Sequence, residues 1–169
     1  MPRVFKGVTL IMYTGRCSCR SIIYTILNKP FFTHACHCSL CQKYTASAFV
    51  VHSPIEMFNF ILNEGQLEPT PGPSGSGGGH TVMRCKVCGD QIYSIIFNNP
   101  NIAVVKTTTL DEAERFPPQA HVYVKYKLPW VILGKGIPQY NEFYERGKVY
   151  PKASLERRKK VELATKGCL

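Results

Sequence analysis

The chain has 169 residues, a formal net charge of +10, eight cysteines and a hydrophobic share of 44%, which suits one globular domain with a real core. No apolar run approaches the roughly 18–20 residues that a membrane span requires. The N-terminal MPRVFKGVTLIMYTG has a short apolar patch with no small-residue cleavage site behind it, so no secretory signal is expected and the chain is placed in the cytoplasm, where thiols stay reduced. The positive charge favours anionic partners: a carboxylate-bearing small molecule, a phosphate or nucleic acid.

In chain order, VTLIMY (8–13), SIIYTIL (21–27), FNFIL (58–62), QIYSIIF (91–97) and IAVVKT (102–107) are short, β-branched or aromatic, and bounded by turn residues. They predict strands. SLCQKYTAS (39–47) predicts a short helix. Residues 69–79, PTPGPSGSGGG, form a low-complexity loop, read as an inert hairpin tip in preference to a flap over a site. The stretch 117–140 alternates prolines with aromatics, holds Trp130, and reads as extended chain with a turn at Gly134–Gly136. ASLERRKKVELATKG (153–167) predicts a charged helix whose Arg157–Lys160 run is a solvated face, with a nucleic-acid contact as the alternative. The fold class is mainly β, in short antiparallel sheets with a short C-terminal helix. The division is one domain over residues 1–145 and a basic extension over 146–169.

The cysteines fall as Cys17-x-Cys19, Cys36-x-Cys38-x-x-Cys41 and Cys85-x-x-Cys88, with Cys168 alone near the end. Thiols one or two residues apart chelate a metal more readily than they pair as disulfides. A closed zinc site takes four ligands, and Cys85-x-x-Cys88 with Gly89 resembles a zinc knuckle that lacks two. Either upstream cluster can supply them; Cys17 and Cys19 do so with nothing left over. Cys36, Cys38 and Cys41 then hold a second zinc with an open position, the mark of a catalytic site. Three thiolates make a weak Lewis acid toward water but still favour a soft sulfur ligand, which points to thiol chemistry before hydrolysis. Two other readings stand: His34, His37 or His52 closes the second site, or only one zinc binds. Cys168 reads as a free terminal thiol.

GRCSC (15–19), CHCSLC (36–41) and CKVCG (85–89), followed by the segment 117–140 with its Pro-x-x-His, tryptophan and Gly-x-Pro-x-Tyr features, resemble the glutathione-dependent formaldehyde-activating enzyme family, which also contains centromere protein V. The resemblance spans roughly residues 5–140. It implies a tent-like β zinc fold, a structural zinc on Cys17, Cys19, Cys85 and Cys88, and a catalytic zinc on Cys36, Cys38 and Cys41. It also implies carbon–sulfur lyase activity with glutathione or a glutathione adduct as the thiol partner. The chain departs from the family pattern at Arg20, where glycine is common, at Ala46-Ser47, where Gly-Ser is common, and at Asp90, where a small hydroxyl residue is common. These positions shape the surroundings of the metals, so the substrate need not be formaldehyde.

For proton transfer the candidates are His34, His52, His121 and Tyr44. Lys43 and Arg84 are candidates for the glutathione carboxylates. The rival reading is a non-enzymatic zinc module whose basic surface binds nucleic acid or a protein; the Arg157–Lys160 run has no aromatics interleaved, which disfavours nucleic acid.

Overall fold

The β-branched and aromatic runs form strands, and polar segments between them form several more. The computed structural model describes residues 4–5, 8–9, 11–75 and 77–166, with side chains described over 11–75 and 77–163. Cys168 and part of the predicted strand 8–13 lie outside the described residues. In chain order the strands are β1 (Val4–Phe5), β2 (Val8–Thr9), β3 (Tyr13–Arg16), β4 (Ile23–Ile26), β5 (His34–Cys36), β6 (Val50–Glu56) and β7 (Phe60–Glu64). They continue as β8 (Leu67–Pro71), β9 (His80–Cys85), β10 (Gln91–Ile96), β11 (Ile102–Lys106), β12 (His121–Val122) and β13 (Gln139–Tyr140). The helices are α1 (Ser39–Thr45), α2 (Arg146–Val149) and α3 (Lys152–Lys166).

The largest sheet has eight strands in the order β13-β12-β5-β6-β11-β10-β9-β8; a three-stranded sheet runs β3-β4-β7, and β1 pairs with β2. The expected mainly β class holds, but the large sheet is mixed, because β12 runs parallel to both β5 and β13. Tyr24, Ile26, Ile55, Phe60, Ile92 and Val105 build the main core, with the Tyr24 and Phe60 rings stacked at 4.9 Å. A second core gathers Phe31, Phe32, Val122, Tyr144 and Tyr150. The aromatics of the 140–150 region are therefore largely interior. No helix among the described residues is long and apolar enough to cross a membrane.

Three expectations shift. FNFIL begins as a 3-10 turn at Met57–Asn59 before β7 starts. The low-complexity segment is partly strand, since β8 runs through Pro71 and pairs with β9. The third concerns the basic run in α3. Arg157 does not point to solvent: its Nε donates to the buried Glu56 Oε1 at 2.8 Å, its Nη1 donates to the Lys29 carbonyl at 3.0 Å, and its guanidinium lies over Phe31. Burying Glu56 without that cation would cost several kcal/mol. Arg158 is largely covered too, paired with Glu162, while Lys159 and Lys160 face out. The run is thus half an anchor of α3 onto β6.

Two of the departures from the family pattern occupy left-handed backbone: Arg20 has φ 64° and Ala46, the C-cap of α1, φ 49°. A side chain there costs on the order of 1 kcal/mol relative to glycine. Ala46→Gly is therefore expected to stabilise the protein by about 1 kcal/mol, raising Tm by about 2–4 °C in calorimetry; an unchanged or lower Tm would show the position unstrained.

Candidate metal centre and its cavities

Two groups of sulfurs converge. In the first, Cys17 and Cys19 sit in the turn between β3 and β4, and Cys85 and Cys88 in the turn between β9 and β10, so the cluster ties the small sheet to the large one. All four Sγ atoms lie within 4.8 Å of one another, and the Cys17–Cys19 and Cys19–Cys85 separations are 3.4 and 3.8 Å. Backbone amides turn toward sulfur: Ile22 N–H donates to Cys17 at 3.2 Å and Cys88 N–H to Cys85 at 3.5 Å. Gly89 makes the second turn possible with φ 80°. Asp90 ties the two turns together by accepting from Ser18 N–H at 2.7 Å.

In the second group, Cys36 ends β5, Cys38 caps α1 and Cys41 lies one turn in; their three sulfurs also fall within 4.8 Å. The Cys41 N–H donates to Cys38 Sγ at 3.4 Å. Among the described residues no histidine nitrogen joins either group at that spacing. His37 turns away and bonds His121 at 2.9 Å. His34 bonds Tyr144 Oη through Nδ1 at 3.0 Å. His52 comes nearest, its Nε2 3.6 Å from Cys41 Sγ, and its buried Nδ1 has no partner.

All seven thiols are free, and their electrostatics fit a cation. Bonding from its neighbours' thiols pulls Cys38 down to about 2 and pushes Cys36 far up; hydrogen bonding to Ser21 draws Cys19 down to about 6, while burial pushes Cys17 up to about 11. Each cluster supports partial ionisation by itself. Full ionisation needs a metal, and sulfur-only sets of four and three suit a soft or borderline divalent ion.

Three cavities lie near the clusters: the first is lined by Cys17 of the four-sulfur group, and the other two by Cys41 of the second group. A broad cleft of about 940 Å³ is lined by Arg20, Lys43, Tyr44, Arg84, Asp90 and Lys106. A small cavity of about 160 Å³ shares Tyr44 and Lys106 with it and is lined by Cys38, Cys41 and His52. A third of about 590 Å³ shares Cys41 and His52 with the small one and also takes in His34. The structure thus brings His34 and His52 together in the third cavity and Lys43 and Arg84 together in the cleft, with Tyr44 lining both the cleft and the small cavity; His121 lines none of the three. Arg84 lies over the Tyr44 ring at 5.6 Å and donates to the Gly89 carbonyl. The glycine-rich hairpin tip lines the small cavity through Pro73, Ser74 and Gly75. A Cβ on Gly72 would fall inside the contact radius of Tyr44 Oη, and one on Gly78 inside that of Phe97.

Lys106 was not legible as a site residue. It ends β11 with 6% exposure and donates from Nζ to Ser94 Oγ at 3.0 Å. Burial lowers it to about 8, while the Cys41 and Cys36 thiols hold its charge. In sequence it looks like the solvent end of an apolar strand.

A sequence model of the family described as "Glutathione-dependent formaldehyde-activating enzyme" matches residues 12–126. A search of the curated proteins finds no significant match. Among solved structures, that of a Rhodobacter sphaeroides protein is 15% identical and covers 75% of this chain and 98% of its own, with a TM-score of 0.46.

Because the first cluster joins two sheets, Cys88→Ser is expected to lower Tm by more than 10 °C and to lose about one metal per chain, consistent with metal binding supplying folding free energy. Calorimetry with elemental analysis checks this; retained Tm would remove the structural role.

Proposed function

This chain belongs to the glutathione-dependent formaldehyde-activating enzyme family, and on that premise we propose that it is a zinc-dependent carbon–sulfur lyase acting on glutathione or a glutathione adduct. The observation that carries the reading is the convergence of Cys36, Cys38 and Cys41, with Cys38 and Cys41 lining the small cavity and Cys41 also the third, and with no fourth protein ligand among the described residues. Cys36, Cys38 and Cys41 would hold a zinc ion, which would lower the pKa of a substrate thiol at its open position. The four-cysteine cluster is the structural zinc of the same reading.

The chain's own residues do the rest. The broad cleft takes the glutathione peptide, whose carboxylates suit Lys43 and Arg84. His52, whose Nε2 lies 3.6 Å from Cys41 Sγ, is the histidine nearest the sulfurs and takes the role of relaying the thiol proton. In the forward direction the sulfur lone pair attacks an aldehyde carbon, the C–S bond forms, and the carbonyl pair moves to oxygen, which takes that proton back. In reverse the hydroxyl proton leaves, C=O re-forms and the C–S pair returns to sulfur. Lys106, buried beside the triad, offsets the negative charge of three thiolates. Tyr44 positions the small cavity between cleft and sulfurs.

A non-enzymatic module that binds nucleic acid through α3 finds less support, because Arg157 and Arg158 are committed to Glu56 and Glu162.

Cys38→Ser is expected to keep the fold and lose about one zinc per chain. It should also slow glutathione–aldehyde adduct formation or cleavage by at least 100-fold, followed by NMR. Wild-type protein that accelerates neither direction, or a variant as fast as wild type, would overturn the reading.

A further inference from the structure

The third cavity differs in chemistry from the glutathione cleft. Its lining joins Cys41, His34 and His52 to apolar side chains, Ile96, Phe97, Val104, Tyr123 and Phe143 among them, and to Arg146 and the Arg158–Glu162 pair. The volume of about 590 Å³ lies in the range of small-molecule pockets. Two features mark it as built. Phe97 keeps an exposed aromatic ring between two cavities although its backbone is left-handed, with φ 57°, a conformation that is costly for a bulky residue. Arg146 and Arg158 come from α2 and α3, beyond residue 126, where the family match ends.

The two arginines are not equivalent. Arg158 is paired with Glu162 at 2.7 Å. Arg146 has no carboxylate partner among the described residues; its guanidinium lies over the Phe143 ring at 5.3 Å, and its charge helps burial hold His34 neutral. A half-buried guanidinium in the lining of an apolar cavity favours a planar anion that it can bond in a bidentate fashion.

We propose that this cavity binds the carbon portion of the substrate: an apolar, ring-sized group attached to the sulfur or to the carbon it bonds, ending in a carboxylate held by Arg146. The inference rests on the reading of Cys36, Cys38 and Cys41 as the thiol-binding centre. The C-terminal extension from residue 146 is then the specificity element of this chain.

The test uses the metal-loaded full chain and calorimetric binding of three probes: glutathione, benzyl mercaptan and 4-(mercaptomethyl)benzoate. The carboxylated thiol should bind at least tenfold more tightly than benzyl mercaptan. Arg146→Gln should erase that preference and leave benzyl mercaptan and glutathione unchanged, whereas Arg84→Gln should weaken glutathione alone. Phe143→Ala should weaken both aryl thiols by severalfold and spare glutathione. Equal binding of the two aryl thiols, or a preference that survives Arg146→Gln, would overturn the proposal and leave the glutathione reading standing. Failure of all three thiols to bind would overturn the thiol-binding centre, and this proposal with it.

Discussion

Clustered thiolates repel one another, and the protein places seven sulfurs in two such clusters. Positive charge must enter both sites for the sulfurs to ionise together, and a chelated metal would provide it where a side chain cannot reach all donors. The rest of the fold can be understood from this constraint. The four-sulfur cluster spans the β3–β4 and β9–β10 turns and so joins two sheets that share a core through Tyr24, Phe60 and Tyr93. The three-sulfur cluster is set by a strand end and one helical turn, and its protein charge partner is Lys106, held inside the large sheet by Ser94.

That second cluster gains its chemical interest from its surroundings. The small cavity lined by Cys38 and Cys41 shares Tyr44 and Lys106 with a cleft that carries Lys43, Arg84 and Arg20, and shares Cys41 and His52 with an apolar cavity that takes in Arg146. His52 approaches Cys41 Sγ at 3.6 Å and lines both of the cavities that Cys41 lines. In the hairpin tip Gly72 packs against Tyr44, and Gly78 and Gly79 against Phe97 and Asn98, closer than a Cβ would allow.

Much of this was legible in the sequence because metal ligands are dictated by short spacings. The knuckle Cys85-x-x-Cys88-Gly89, the two-residue supply at Cys17 and Cys19, and the leftover triad each follow from local geometry, and the strands at 21–27, 91–97 and 102–107 from β-branched runs. What stayed hidden depended on tertiary partners. β6 reads VVHSPIE, too polar for a central strand, yet Ser53 bonds Thr33 and Thr107 and Glu56 meets Arg157. A buried polar residue is recognisable only with its partner in view. For the same reason Arg157 looked solvated, Lys106 looked like a strand end, and Arg146 belonged to a tail without evident purpose. The parallel β5–β12 pairing joins segments about 85 residues apart in sequence, a pairing no local pattern encodes.

The central claim is that the Cys36, Cys38 and Cys41 site keeps one position open to a sulfur ligand. The most direct measurement is X-ray absorption of the metal-loaded protein before and after glutathione is added. The account predicts that average sulfur coordination rises from about 3.5 to about 4 per metal as the three-sulfur site gains its fourth ligand. A spectrum that already shows full protein ligation at both metals, and does not change with glutathione, would contradict it.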